Sequence, residues 1–353
     1  MINESIQKLI DGANLTSAES QKIMREIMSG QATNAQIAAF LTALRIKGET
    51  VGELIAFARV MRERCRRIHP RVEGRLVDTC GTGGDKTKTF NISTTTAFVV
   101  AGAGVAIAKH GNRSVTSKSG SADVLEKLGL KLNITPEEIQ SAIEQVGVGF
   151  MFAPAFHPAM KYAVQPRREI GIRTVFNILG PMTNPASANA QLLGVYDAKL
   201  VTPIAYTLKK LECEEAMIVH GLDGLDEIST LGKTSIAWLK EGEVATMNVT
   251  PKDFGVKRAC LADIQGTTPE ESAKILFKIL NNYYAVDDPK TEIVLVNSAA
   301  GIIVGGKAED FSYSMTVARK SIESGAAYEK LKALIKASAD DLSKLEELES
   351  KYG

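Results

Sequence analysis

The sequence contains few cysteines, and no two of them are spaced as a metal or redox motif. Its 353 residues include Cys65, Cys80, Cys213 and Cys260, and none of these forms a CxxC pair. The spacing therefore indicates neither a structural zinc site nor a disulfide-rich scaffold. We expect four reduced thiols in a cytoplasmic protein, because disulfides belong to oxidising compartments.

An excess of charge and a long apolar run are also lacking. Lysine and arginine number 42 against 41 acidic residues, so nothing draws the whole molecule to nucleic acid or to an anionic membrane. The N-terminus has no basic-then-apolar signal pattern, and no apolar run approaches the roughly 20 residues that span a bilayer. The longest candidate, residues 291–305, contains Asn297 and Ser298 and predicts a buried helix.

Two common nucleotide-binding motifs are missing. The GxGxxG fingerprint fails because Gly81 and Gly83 are followed by Lys86 where a third glycine or alanine belongs. A Walker-type loop also fails, since Glu227 stands where the upstream glycine of a sequence ending at Thr234 is required. These two absences argue against binding of dinucleotides or ATP.

The sequence does show helical periodicity, followed by alternating strands and helices. Thr16 with Glu19, and Thr50 with Glu53, have the spacing of helix capping boxes. The later alternation predicts an α/β fold with a mainly parallel central sheet. We expect a small helical domain over residues 1–70, on which helices from about 158–184 pack, and a larger α/β domain over 71–353. The predicted strands are 76–78, 105–108, 148–152, 192–195 and 216–219, followed by a hairpin of 236–239 and 243–247.

The first chemical motif is the run DTCGTGGD at residues 78–85, between a predicted strand and a predicted helix. Glycines let backbone amides approach a ligand closely, and the following helix, which opens with Asn91, Ile92, Ser93 and Thr94, presents unpaired N–H groups. Together these elements form a cradle for a phosphate or pyrophosphate, to which the hydroxyls of Thr89, Ser93 and Thr94 can add donors. A tight turn without a ligand is the alternative.

The second motif is the run KHGNRSVTS at residues 109–117, which directly follows a predicted strand. Ligands of α/β sheets bind beyond the carboxyl ends of the strands, and Lys109 and Arg113 can bind phosphate oxygens there. Ser121 opens the next helix, whose N-terminus is a second place suited to an anion.

Acidic and basic side chains further along the chain complete the candidate site. Asp226 and Glu227 form an adjacent carboxylate pair that suits Mg²⁺, although an acidic surface turn has the same pattern. Arg167 can bind a carboxylate on a small acceptor. His157 fits a structural histidine or a proton acceptor, and no pair of nucleophile and base is apparent, so no catalytic residue is assigned.

Taken together, these motifs resemble the anthranilate phosphoribosyltransferase family. GTGGD with NIST, KHGNRSVTSKSGSADVLEKLG, GIRTVFNILGPMTNP and HGLDGLDEIST carry the resemblance, which runs from the helical N-terminus to about residue 305. It implies a fold of the nucleoside phosphorylase and phosphoribosyltransferase type, usually a homodimer joined through the helical domains. It also implies a glycosyltransferase that moves the phosphoribosyl group of phosphoribosyl pyrophosphate (PRPP) to anthranilate in tryptophan biosynthesis.

The resemblance further implies which residues bind each ligand. Asn112 and Arg167, with Gly81, would contact anthranilate, and Ser93, Asp226 and Glu227 would hold magnesium. The residues implied in PRPP binding are Gly81, Gly84, Asp85, Thr89, Asn91, Ile92, Ser93, Thr94, Lys109, His110, Gly111, Asn112, Arg113, Ser114, Val115, Thr116, Ser117 and Ser121.

The physical interpretation and the resemblance make the same geometric prediction. The amides that begin at Gly81 and the carboxylates of Asp226 and Glu227 must converge on one diphosphate. A transferase for another acceptor, or a phosphosugar-binding protein without activity, are the alternatives. The intact acidic pair argues against the second, since binding alone does not need a metal at the leaving group.

Overall fold

The N-terminal part of the chain is helical, as predicted. The computed structural model describes residues 1–83, 87–114, 119–266, 268–285, 287–339 and 341–352. The capping boxes predicted at Thr16 and Thr50 are confirmed, and α3 begins with a further box at Thr33. The four helices are α1 Ile2–Ile10, α2 Ser17–Met28, α3 Asn34–Lys47 and α4 Val51–Arg64.

A seven-stranded sheet of order β3-β2-β1-β4-β5-β6-β7 forms the centre of the remainder. Strands β1 to β5 are parallel and β6 and β7 form an antiparallel hairpin, so the predicted α/β class and the predicted hairpin are confirmed. The strands are β1 Leu76–Gly81, β2 Ala106–Gly111, β3 Val148–Phe152, β4 Ala190–Gly194, β5 Glu215–Gly221, β6 Thr234–Lys240 and β7 Glu243–Val249.

Helices cover both faces of this sheet. They are α5 Ile92–Gly102, α6 Ser121–Lys127, α7 Pro136–Val146, α8 Ala153–Phe156, α9 Lys161–Ile170, α10 Val175–Leu179, α11 Val201–Lys210, α12 Pro269–Leu280, α13 Pro289–Val304, α14 Phe311–Glu323, α15 Ala326–Ala339 and α16 Ser343–Tyr352. Residues 291–305 lie almost entirely in α13, which is buried along most of its length, as predicted. Among the described residues no helix is long and apolar enough to span a bilayer.

Successive side chains of each strand enter different hydrophobic cores, because neighbouring residues of a strand point to opposite faces. Leu192 belongs to the core that contains α5 and α13, whereas Leu193 belongs to the core of α11 and the first four helices. Helices α9 and α10, separated by Gly171 at a φ of 63°, pack on α3, and α9 also packs on α2. The N-terminal helices therefore share one continuous core with one face of the sheet.

Strands β1 and β2 extend further toward the site than the sequence predicted. Lys109, His110 and Gly111 were expected directly after a strand, but they lie within β2, which pairs with β3 as far as Phe152. Strand β1 likewise continues to Gly81 along β4. Apolar runs underestimate such strands, because polar residues that face a binding site still take part in the hydrogen-bond ladder.

Candidate active site

The glycine-rich loop after β1 meets the acidic loop after β5. The N–H of Gly83 donates a hydrogen bond to Oδ2 of Asp226 at 3.2 Å. A Cβ on Gly81 would lie 2.9 Å from that same oxygen, and one on Gly194 at the end of β4 would lie 1.6 Å from the carbonyl oxygen of Asp226. The close approach depends on glycine at both strand ends, and it brings together the two regions that the sequence predicted to converge.

The N-terminus of α5 lies beside β1, where Thr79 Oγ1 donates to the carbonyl oxygen of Ser93 at 3.1 Å, and no side chain caps it. The side chain of Asn91, the residue before the helix, bonds to Ser119 instead, with its Oδ1 accepting from Ser119 Oγ at 2.8 Å. Within the described part of the chain, the N–H groups of Ser93 and Thr94 have no partner, and neither does the buried Thr94 hydroxyl. Unpaired amides and the helix dipole make this end a place for an anion.

Lys109 supplies a buried positive charge beside the start of α5. Its Nζ donates to the carbonyl oxygen of Thr79 and lies 3.5 Å from Oγ of Ser93. Burial lowers the pKa of this ammonium group, while the charges of Asp78 and Glu227 raise it. Lys109, Ser93 and Glu227 therefore belong to one electrostatic environment.

Asp78 is a component of the site that the sequence interpretation did not single out. It is completely buried in β1, where Oδ2 accepts from Asn184 Nδ2 at 2.7 Å and Oδ1 accepts from the N–H of His110 at 3.2 Å. Burial raises the pKa of this carboxyl to about 6, although the nearby Lys109 lowers it. The sequence signal that could have revealed Asp78 is an acidic side chain within a strand whose other side chains are apolar or uncharged.

The residues that directly follow β2 contact one another and the start of α6. Asn112 Oδ1 accepts from the N–H of Arg113 at 2.7 Å, and Ser121 Oγ donates to the carbonyl oxygen of Asn112 at 3.3 Å. The guanidinium of Arg113 forms ion pairs with Asp123 at 3.0 Å and with Glu126 at 2.8 Å on α6. Arg113 was predicted to bind phosphate, but here these two carboxylates, one helical turn apart, hold it.

Two histidines lie next to each other where β2 ends. The ring centroids of His110 and His157 are 5.1 Å apart. Burial lowers the pKa of His110 to about 3 and that of His157 to about 4, so both rings are neutral at pH 7. Their Nε2 atoms are buried and, among the described residues, have no hydrogen-bond partner.

Arg167 lies in the last turn of α9, in the segment that follows β3. Its guanidinium carbon is 5.3 Å from the centre of the Phe176 ring, and burial lowers its pKa. The ion pairs found among the described residues do not include Arg167. A half-buried cation of this kind is suited to a planar carboxylate from outside the chain.

Of seven further residues predicted to bind PRPP, two take part in contacts within the protein and five lie outside the described residues. Thr89 pairs with Gln265 in an antiparallel bridge, and the Ile92 side chain is part of the hydrophobic core. The N–H of Ile92 donates to the carbonyl oxygen of Phe90 at 2.8 Å. Gly84, Asp85, Val115, Thr116 and Ser117 lie outside the described residues.

The donor set suits a hard divalent cation that also has ligands from outside the protein. The described residues contain no group of three or more histidine, cysteine, aspartate or glutamate side chains that could hold a metal alone. Asp226, Glu227 and Ser93 provide two carboxylates and a hydroxyl, all oxygen donors. Mg²⁺ binds through one or two carboxylates together with waters and substrate phosphates, so this set is compatible with it.

Comparison with known families gives a consistent assignment along the chain. Residues 73–328 match the glycosyl transferase family, a/b domain, and residues 3–65 match the glycosyl transferase family, helical bundle domain. Anthranilate phosphoribosyltransferase from Moorella thermoacetica is 50% identical over 338 residues, covering 95% of this chain and 98% of that protein. The enzyme of the same name from Methanocorpusculum labreanum is also 50% identical, over 335 residues, covering 95% and 97%.

Solved structures show the same fold. Anthranilate phosphoribosyltransferase from Thermus thermophilus has a TM-score of 0.88 at 38% identity, covering 94% of this chain and 98% of the other. The Saccharomyces cerevisiae enzyme in complex with PRPP and Mg has a TM-score of 0.88 at 28% identity, covering 96% and 98%. The same yeast enzyme in complex with 4-fluoroanthranilate has a TM-score of 0.87 at 27% identity, with the same coverage.

Proposed function

The chain belongs to the anthranilate phosphoribosyltransferase family, and from that premise we propose how its residues carry out the transfer. The enzyme moves the phosphoribosyl group of PRPP to anthranilate in tryptophan biosynthesis, and it releases pyrophosphate. The observation that carries the proposed division of roles is the 3.2 Å hydrogen bond between the N–H of Gly83 and Asp226. This bond brings the glycine-rich loop after β1 and the acidic loop after β5 into one site.

The diphosphate of PRPP binds between the glycine-rich loop and the start of α5. The unpartnered N–H groups of Ser93 and Thr94 support this assignment, as does the buried ammonium group of Lys109. All three are fixed before the substrate arrives, so they stabilise the negative charge that develops on pyrophosphate without further rearrangement. The other PRPP contacts are those implied for the loops at residues 81–94 and 109–121.

Asp226, Glu227 and Ser93 hold Mg²⁺ in this proposal. The yeast relative was solved with PRPP and Mg, and the oxygen donors of this chain fit that ion. When bound, magnesium supplies positive charge that neutralises the leaving group. Gly81 and Gly194 have the complementary task of letting the acidic loop lie close to the strand ends.

Arg167 and Asn112, with Gly81, bind anthranilate. Support comes from the half-buried Arg167 guanidinium, which has no ion pair within the described residues and matches the carboxylate of anthranilate. The stacking of Arg167 over Phe176 restricts its orientation. Arg167 thus selects acceptors that carry a carboxylate.

The chemical step requires little activation of the acceptor. The amine lone pair of anthranilate forms the new C–N bond to the anomeric carbon of ribose, while the electrons of the breaking C–O bond leave with pyrophosphate. The amine then loses its proton, for which the neutral rings of His110 and His157 are two candidate acceptors. Most of the acceleration comes from positioning and from fixed charge.

Three further features belong to the proposal. A homodimer joined through the helical region is supported by exposed Ile10, Ile46 and Val164, which lie on helices α1, α3 and α9. A cytoplasmic location is supported by the four free cysteines. The domain division at about residue 70 is supported by the separate family matches that end at 65 and begin at 73.

Pyrophosphate release tests the proposal directly. Purified protein is mixed with PRPP, Mg²⁺ and anthranilate, and release is compared with a control without anthranilate. Release that requires both Mg²⁺ and anthranilate is the expected result. Release equal to that of the control would contradict the activity, and full release after removal of Mg²⁺ by a chelator would contradict the metal role.

A further inference from the structure

Asn297 on α13 connects this buried helix to the acidic loop. Its Oδ1 accepts from the N–H of Ile228 at 2.9 Å, and its Nδ2 donates to the carbonyl oxygen of Ile228 at 2.9 Å. Ile228 is the residue that follows Glu227. Asn297 thereby holds both backbone polar groups of the residue next to the carboxylate pair.

The orientation of the Asn297 amide is completely determined. Its second Nδ2 proton is donated to the carbonyl oxygen of Ile293 at 2.9 Å, one turn earlier in α13. A flipped amide would point a donor at the N–H of Ile228 and an oxygen at two carbonyl groups, so it would lose all three bonds. The side chain is 0% exposed, and water therefore offers no substitute for these partners.

The same helix also contacts α5, the helix proposed to bind the diphosphate. Helix α13 packs along α5 and touches it so closely at Gly301 that a Cβ there would lie 2.7 Å from Cγ2 of Val100. Gly301 is one turn beyond Asn297 on α13. A single helix therefore packs against α5, closely so near the C-terminal end of α5, and also holds the backbone beside Glu227.

We propose that Asn297 is a positioning residue for the magnesium site: it holds Ile228 so that Asp226 and Glu227 keep their place beside the glycine-rich loop. The inference depends on the metal role proposed above. Outer partners of metal ligands typically change metal affinity or activity by about 10–100-fold when they are removed. Asn297 has the equivalent role here, but it acts through the backbone of the ligand loop.

Ser298 provides a matched control on the same helix. It is also 0% exposed, but its hydroxyl has no hydrogen-bond partner among the described residues. Ser298→Ala therefore changes a buried polar group of α13 without touching the acidic loop. A general loosening of the helix would affect both positions alike.

The experiment measures PRPP binding by calorimetry across a series of Mg²⁺ concentrations, without anthranilate and hence without turnover. Asn297→Leu should raise the half-saturating Mg²⁺ concentration about tenfold. The milder Asn297→Ser, which keeps a hydroxyl for the carbonyl oxygen of Ile293, should shift it in the same direction and serves if the leucine variant does not fold. Ser298→Ala should match the parent. In separate steady-state assays of the Asn297 variants, the KM for anthranilate should change by less than about twofold, because the residues proposed to contact anthranilate lie on other elements.

The outcomes distinguish this inference from the proposed function. If the parent binds PRPP independently of Mg²⁺, the metal assignment fails and the inference fails with it. If the parent responds to Mg²⁺ but folded Asn297 variants respond identically, the positioning role alone is wrong. An equal shift in Ser298→Ala would also overturn it, because the effect would then belong to the helix as a whole.

Discussion

The four N-terminal helices and the carboxyl edge of the sheet differ in how their carboxylates and the starts of their helices are bonded. In the helical part, Glu53 is completely buried, yet its carboxylate accepts from the N–H groups of Leu15 at 2.9 Å and Thr50 at 2.8 Å, and from Lys47 Nζ at 2.8 Å. Helices α2, α3 and α4 each begin with a reciprocal capping box. The Glu53 carboxylate and these capping side chains therefore serve the fold itself.

At the edge of the sheet, several polar groups have no partner within the described residues. They are the N–H groups of Ser93 and Thr94, the Thr94 hydroxyl, and Nε2 of His110 and His157. Leaving a buried polar group unpaired lowers stability, and a bound ligand can supply the missing partner. We infer that the bonded Glu53 carboxylate matters mainly for stability, whereas Asp226 and Glu227, which are proposed to hold Mg²⁺, matter mainly for activity.

Neutralising the acidic pair should have the largest effect. In Asp226→Asn combined with Glu227→Gln, both carboxylates proposed to hold Mg²⁺ are lost, and we expect kcat to fall by at least about 10³-fold. Stability should change little, because both amides keep the size of the side chain and an oxygen that can accept a hydrogen bond such as the one from the N–H of Gly83. Steady-state rates across a Mg²⁺ series, together with thermal unfolding, test both parts. An unchanged magnesium titration would mean that the metal binds elsewhere.

Removing the proposed acceptor anchor should have the next largest effect. Arg167→Ala deletes the guanidinium that pairs with the carboxylate of anthranilate, so the KM for anthranilate should rise about 10–100-fold, as expected for hydrogen bonds to a charged group. PRPP binding should stay within about twofold. The neighbouring exposed Arg168, changed to alanine, is the control. Equal losses for both substrates in Arg167→Ala would contradict the assigned role.

Asp78 tests whether a buried carboxylate at the edge of the sheet lowers stability while it supports activity. Its folded pKa of about 6 lies above the ordinary value of 3.8, so the folded chain holds the proton more tightly than the unfolded chain. The stability of the parent should therefore decline as pH rises from about 4 to 6, and Asp78→Asn should lack this decline. Denaturant unfolding at several pH values measures it.

The same substitution should reduce activity. Without the Asp78 charge, which raises the pKa of Lys109, this ammonium group loses its proton at lower pH. We expect kcat/KM for PRPP to fall about tenfold at pH 7, with the alkaline limb of its pH profile displaced to lower pH. An unaltered profile would show that Lys109 does not depend on Asp78.

Much of this architecture is predictable from sequence where local rules decide the structure. The capping boxes at Thr16 and Thr50 form as their spacing predicts, because each involves residues within one helical turn. The order of strands and helices follows from apolar periodicity, and the hairpin of β6 and β7 was recognisable in the same way.

The arrangement of the site depends more on contacts between distant parts of the chain. The sequence identified the glycine-rich loop and Asp226, but their hydrogen bond joins residues 143 apart and requires glycine at Gly194, which carried no local signal. Asn184 and Asn297 were equally hidden, because each bonds to a strand or loop that is remote in the sequence. The ion pairs of Arg113 with two carboxylates of α6 were hidden as well, and its role as a phosphate ligand stays a prediction.

The smallest expected effect comes from a capping box in the helical region. Thr16 Oγ1 accepts from the N–H of Glu19, whose carboxylate accepts in return from the N–H of Thr16 at 2.7 Å. Thr16→Ala should lower the free energy of unfolding by about 1 kcal/mol and leave kcat unchanged. The bond from Lys8, followed by those from Thr16, lowers the pKa of Glu19 to about 2, so this stabilisation should be lost as pH falls from 4.5 toward 2.

Ser93→Ala, at the start of α5, is the counterpart of Thr16→Ala in the other region. It removes a hydroxyl at the start of a helix too, but one proposed to serve the ligand, so kcat should fall while the free energy of unfolding stays within about 0.5 kcal/mol of the parent. Urea unfolding and steady-state rates on both variants complete the comparison. If Thr16→Ala loses activity without losing stability, or Ser93→Ala loses stability without losing activity, the two regions do not divide these tasks.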